Sequence, residues 1–158
     1  MEPFDLRKWK SLPSQAPAVV DQIAIDSRRI TSKNALFVAL GGAHSDGHHY
    51  VKEALLRGAR FALVQHDFSC AGIDEQSLIR VDSPLRALQA IAALYRQEMK
   101  AKVVAVIGSY GKTMTKDLLY HLVERSFPTF ASPESFNSQI GVALSLLSIK
   151  KEQKIAII

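Results

Sequence analysis

The sequence predicts an α/β protein in two parts: a small mixed α/β domain, then the start of a second domain built on a parallel sheet. Three observations predict it. Short apolar runs at residues 18–26, 35–40, 61–64 and 78–81 are punctuated by turns and one helical stretch, a β-β-α-β-β succession. From Pro84 onward Leu85, Leu88, Ala92, Tyr95 and Met99 recur at three- and four-residue intervals, the stripe of an amphipathic helix. Beyond it Val103-Val104-Ala105-Val106-Ile107 is a continuous apolar run, expected of a parallel strand buried on both faces.

Each element has a local reason. The run at 35–40 is stopped by Gly41-Gly42, and a helix follows from about His49 to Arg57. Val51, Ala54 and Leu55 share one face of that helix, and Gly58 supplies its C-terminal stop. Ser83 is placed to cap the long helix, with Pro84 at its first position. After the second glycine turn, Met114, Leu118 and Leu122 recur at helical spacing, widened by Leu119 and Val123. A short extended stretch at Pro128-Thr129-Phe130, a helix from Ser138 to Leu147 and a last strand at 155–158 complete the chain. These signals place the first domain at 1–83, a connecting helix at 84–101 and the second domain at 102–158.

Composition narrows the class. Of 158 residues 47% are apolar, enough for a globular core, and no apolar run approaches the ~18 residues of a membrane span. The N-terminus lacks a signal-peptide pattern, and a lone cysteine, Cys70, excludes an internal disulfide. A cytoplasmic monomer is expected. The net charge of +5 is scattered rather than gathered into a stripe. Nucleic-acid binding is therefore not expected, and small phosphorylated ligands fit better.

The chemistry concentrates at Gly108-Ser109-Tyr110-Gly111-Lys112-Thr113, with Met114 following. A strand, a glycine turn and a helix in that order form a phosphate site. Backbone N–H groups at the helix start face the anion, and the helix dipole adds partial positive charge. Lys112 would supply a point charge for the terminal phosphates of such a ligand, and the Thr113 hydroxyl a ligand for Mg²⁺. The common form of this loop has four residues between its glycines; here there are two, Ser109 and Tyr110. A plain glycine turn with a surface lysine is the alternative, disfavoured by the combination of strand, glycines, Gly-Lys-Thr and helix. Only 57 residues follow Ala101, too few for a complete nucleotide-binding sheet, so the second domain is expected to be truncated.

Four segments together resemble one family. They are Asp26-Ser27-Arg28; residues 36–42 (Leu-Phe-Val-Ala-Leu-Gly-Gly) with Asp46-Gly47-His48; the shortened phosphate loop; and residues 136–142 (Phe-Asn-Ser-Gln-Ile-Gly-Val). In this order they resemble the N-terminal part of a Mur ligase, most closely the MurF type. The resemblance implies an ATP-dependent amide-bond ligase that adds D-alanyl-D-alanine to UDP-N-acetylmuramoyl-tripeptide through an acyl phosphate. It also implies that the first domain holds the UDP end of the substrate. The matching positions there are Ile25, Ser27 and Arg28 on one loop and His44, Ser45, Asp46 and Gly47 on the other. Asn137 and Gln139 fall near the nucleotide or substrate. Tyr110 stands where the family usually has Asn or Ser, and Met114 where it has Ser or Thr.

Other readings of the same residues remain open. Asp26-Ser27-Arg28 alone also fits an ordinary turn after a strand. The histidines near Asp46 suggest a metal, but no thiol accompanies them and a solvated ligand loop fits better. Asn137 could cap the helix that begins at Ser138. The expectation is the beginning of a MurF-type ligase, itself inactive in ligation. The alternatives are another Mur ligase adding a different amino acid, or a non-catalytic module that binds a uridine nucleotide.

Overall fold

The computed structural model describes residues 1–9, 19–42, 45–133 and 136–158. The chain divides into two compact units, Met1–Ile91 and Ala92–Ile158.

In the first unit, β1 (Phe4–Asp5) pairs antiparallel with β2 (Val19–Val20). A four-stranded sheet then forms from β3 (Gln22–Ala24), β4 (Ala35–Val38), β5 (Phe61–Gln65) and β6 (Leu78–Val81). All its pairs are parallel and the strands lie in sequence order. The single strand expected over 18–26 is thus two strands serving different sheets, with Asp21 between them. Polar side chains at the break organise the connection from β3 to β4. The Gln22 carboxamide donates to the Arg29 carbonyl (2.7 Å) and accepts from the Thr31 and Ser32 N–H groups (2.9 and 3.0 Å). Ser32 Oγ donates to Asp21. These bonds hold the ten-residue connection, which has one 3₁₀ turn where a crossover helix is usual.

The expected helix after β4 is α1 (Val51–Leu56), preceded by a 3₁₀ turn over Gly47–Tyr50 and ended at Gly58, whose φ is +108°. Phe37, Ala39, Val51, Ala54, Ala62 and Val64 form the core between α1 and the sheet. All four residues of β4 are buried, as a continuous apolar run predicts for a central strand. β6, at the edge, alternates instead, with Ile79 and Val81 inward.

α2 (Pro84–Glu98) starts where expected, with the Arg86 N–H donating to Ser83 Oγ. The division between units falls inside it. In the second unit, Arg96 donates to the Met99 and Ala101 carbonyls (2.8 and 2.7 Å), closing the end of α2. Then come β7 (Lys102–Val104), α3 (Lys112–Val123), β8 (Thr129–Ala131), α4 (Gln139–Leu147) and β9 (Ile155–Ile157). The strands form a parallel sheet in the order β7-β9-β8, so β9 is central. Tyr95 Oη donates to the Ile149 carbonyl (2.6 Å), tying α2 to the segment after α4.

Two expectations fail here. The run 103–107 is not a strand buried on both faces: β7 ends at Val104, which is 42% exposed, and Ile107 is 90% exposed. Nor does α3 bury its leucine stripe. Met114, Leu118 and Leu122 are exposed, while Lys112, Leu119, Tyr120 and Val123 are half-buried and Lys116 is buried. α3 packs on β8 and β9 through this second face. Within this chain those outward residues keep only part of the burial their stripe offers. Positions 116, 119, 120 and 123 follow Lys112 at helical spacing and share its face of the helix.

Candidate functional site

Two groups of loops stand at the carboxyl ends of parallel strands, where ligand sites form in open α/β sheets. They belong to different units and are built on different principles.

The loop after β7 is open, with the geometry an anion site requires. Gly108 has φ +151° and Gly111 +72°, backbone geometry that a side chain would strain. Gly111 is the N-cap of α3, and among the described residues no side chain caps the first N–H groups of that helix. Uncapped donors of this kind are what an anion-binding helix start presents. Lys112 folds back so that Nζ donates to the Gly108 carbonyl (2.6 Å) and approaches the Ser109 carbonyl (3.4 Å). The ammonium thus stands over the loop with donor capacity to spare. Thr113 is exposed in the first turn, beside Lys112. Ser109 is exposed, Tyr110 is 97% exposed and Met114 75%. The last two add an apolar rim to the loop.

Asn137 and Gln139 lie in the second unit too, at the start of α4, and both are exposed. The cap of α4 is Ser138, whose Oγ accepts from the Gly141 N–H (3.0 Å). Asn137 therefore does not cap it. Gly141 is required for a separate reason: a Cβ there would lie 2.9 Å from the Phe136 Cα.

The loops of the first unit are closed on themselves. Ile25 and Asp26 follow β3, and Asp26 caps a 3₁₀ turn over Ser27–Arg29. Its Oδ1 accepts from the Arg28 N–H (3.0 Å), and the Arg28 guanidinium grips both carboxylate oxygens (3.0 and 2.9 Å). That guanidinium, then the backbone donor, lowers the Asp26 pKa to about 2. Ser27 is buried and Arg28 exposed. After β4, the Gly42 N–H donates to the Ser45 carbonyl and the Gly47 N–H to the Leu40 carbonyl, which ties Asp46 and Gly47 back to the end of the strand. A Cβ on Gly47 would sit 2.7 Å from the Leu40 nitrogen, so only glycine fits. Ser45 is exposed and Asp46 half-buried. His44 lies outside the described residues.

His48 is the residue whose part in this loop was not foreseen. Its Nε2 accepts from the Gln65 N–H at the end of β5 (3.2 Å), which makes Nδ1 the protonated nitrogen. Nδ1 donates to Asp46 Oδ1 (2.6 Å), and the backbone N–H of His48 bonds the same oxygen. The backbone bond first, and the imidazole second, hold the Asp46 carboxyl below its usual range. The ring also packs against Phe68, with centroids 5.4 Å apart. The loop is thereby pinned to the neighbouring strand. Asp5, Asp26, Asp46 and Asp74 all accept from the N–H two residues on, each opening a 3₁₀ turn. An aspartate just before a turn was the signal to read.

Residues 19–96, which hold the parallel sheet of the first unit and most of α2, match the model of the Mur ligase family, catalytic domain. The chain is 33% identical over 147 residues to the UDP-N-acetylmuramoyl-tripeptide–D-alanyl-D-alanine ligase of Bacillus subtilis, covering 92% of this chain and 32% of that protein. The chain belongs to the Mur ligase family. The enzyme of the same name from Escherichia coli is 34% identical over 143 residues, 90% of this chain and 30% of its own length. Among solved structures, MurF from Acinetobacter baumannii superposes with a TM-score of 0.78 at 31% identity, over 89% of this chain and 30% of that one. MurF ligase from Thermotoga maritima, in complex with ADP, gives 0.75 at 29% identity, over 87% and 31%. The chain thus spans about a third of the length of the relatives it matches. Among the described residues no helix is long and apolar enough to cross a membrane.

Proposed function

We propose that this chain supplies the substrate-binding and phosphate-binding beginning of a MurF-type ligase, which joins D-alanyl-D-alanine to UDP-N-acetylmuramoyl-tripeptide at the expense of ATP in peptidoglycan precursor synthesis. The observation that carries the proposal is the shortened phosphate loop: two left-handed glycines, an uncapped helix start and the Lys112 ammonium poised over the loop. In the reaction, the γ-phosphoryl group of ATP passes to the substrate's terminal carboxylate, and the incoming amine attacks the acyl phosphate and displaces phosphate. What the chain's own residues do is position and neutralise. The open N–H groups of α3 hold the phosphates, and Lys112 offsets charge as it develops. Thr113 offers one hydroxyl to the oxygen shell of Mg²⁺, which supplies charge neutralisation when bound.

In this reading residues 1–83 hold the UDP moiety, 84–101 form the connecting helix and 102–158 begin the ATP domain. The UDP contacts come from Ile25, Ser27, Arg28 and the loop around Gly47, with Asn137 and Gln139 near the substrate. The protein acts in the cytoplasm as a monomer. In a ligase of the relatives' length, the apolar stripe of α3 is a face on which further elements pack.

The test is binding of MgATP to the chain and to Lys112→Ala, followed by heteronuclear NMR. Binding to the wild type through Gly111 and Thr113, lost in the variant, supports the proposal. Equal binding to both would show that the loop is not the nucleotide site.

A further inference from the structure

The face that α3 turns to its sheet carries a charge where a hydrocarbon would pack. Lys116, one turn beyond Lys112, is buried among half-buried Leu119, Tyr120 and Val123. A methionine would fill the space of its stem without taking an ammonium out of water. Its Nζ donates to the Ser132 carbonyl (2.6 Å), with the more exposed Asp117 carboxylate 3.4 Å away.

Ser132 is itself a fixed point, because its N–H donates to the Ile157 carbonyl of the central strand (2.9 Å). The next residue, Ile158, donates to the Val104 carbonyl (2.9 Å) and accepts from the Val106 N–H (2.7 Å). Val106 leads through Ile107 into Gly108. Followed round, the hydrogen bonds make a ring: the leading arm of the phosphate loop at Val106, the end of β9, Ser132, Lys116, one turn of α3, and Lys112 back to the Gly108 carbonyl. We propose that Lys116 is a positioning residue for phosphate binding, whose bond to Ser132 closes this ring and fixes the helix arm of the loop against its strand arm. The inference rests on the reading of the loop as the nucleotide site.

The experiment titrates the chain with MgATP and follows backbone amides by NMR in the wild type, Lys112→Ala, Lys116→Met and Lys116→Arg. Loss of the ring predicts that Lys116→Met stays folded yet weakens MgATP roughly 10- to 100-fold, the range found for lost outer-shell partners. The Gly111 and Thr113 amides, expected to move in the wild type, shift less in the variant at the same MgATP concentration. Lys116→Arg, which keeps a charged donor, restores most of the affinity. Wild-type affinity in Lys116→Met, with Lys112→Ala inactive in binding, overturns the positioning role and leaves the nucleotide site standing. No MgATP binding by the wild type overturns both. Should Lys116→Met not fold, the wild type decides through the Lys116 ammonium resonance. It shifts on MgATP addition if the ring surrounds the phosphates; if it stays fixed while Gly111 and Thr113 move, the proposal fails.

Discussion

The turns after β3 and β4 and the loop after β7 all sit at the carboxyl ends of parallel strands, yet they treat their polar groups in opposite ways. Around Asp26 and Asp46 the carboxylates are consumed by their own turns, one gripped by Arg28 and the other by His48. At Gly108–Thr113 the backbone donors of the helix start have no side-chain cap among the described residues, and the Lys112 ammonium leans over them. A loop built to cradle a highly charged phosphate needs unspent donors and a compensating cation. A loop built to receive a less charged group needs a fixed shape, and spends its charges to obtain one. The difference teaches that the first unit offers a moulded surface and the second an electrostatic one.

The largest effect that would break this contrast is at Lys112. Lys112→Ala should cost ~3 kcal/mol or more of transition-state stabilisation in a ligase carrying this loop. It should leave thermal unfolding of the chain unchanged, measured by steady-state phosphate release and by circular dichroism. A wild-type rate would mean that the ammonium is ornamental. Gly47→Ala tests the moulded side. The added Cβ meets the Leu40 backbone at 2.7 Å, so the loop must shift at a cost of about 1–3 kcal/mol in urea unfolding, the range for overpacking. The Gly111 and Thr113 amide shifts should not change. Ser138→Ala removes the bond from the Gly141 N–H and should lower stability by about 1 kcal/mol, measured the same way.

The smallest effect is electrostatic. Asp26 has its pKa lowered from 3.8 to about 2, so the stabilisation it contributes is fully present above pH ~4 and is lost as pH falls toward 2. Carboxyl-carbon NMR titration should find its midpoint near the lower value. Arg28→Ala should return it most of the way to an ordinary aspartate; an unmoved midpoint would show that the guanidinium is not the cause.

Much of the fold was legible because its signals are local. The apolar run of β4, the Ser83-Pro84 start of α2 and the glycine stop of α1 each state their structure within a few residues. The phosphate loop was legible for the same reason, since Gly108, Gly111 and Lys112 carry their geometry with them. What could not be read depended on partners distant in sequence. Asp21 divides one apolar run between two sheets because Phe4 pairs with Val20 while Ala35 pairs with Gln22. α3 leaves Met114, Leu118 and Leu122 outward, so the face it buries contains Lys116. His48 bonds a strand seventeen residues away. Periodicity reports which residues share a face, not which face turns inward.

One measurement tests the contrast most directly: parallel NMR titrations of the chain with MgATP and with UDP. The account predicts that MgATP moves Gly111 and Thr113 and leaves the first unit still, while UDP moves Ser27 and Gly47 and leaves the phosphate loop still. Both nucleotides shifting the same set of amides, or UDP failing to move Ser27 and Gly47 at millimolar concentration, would contradict it.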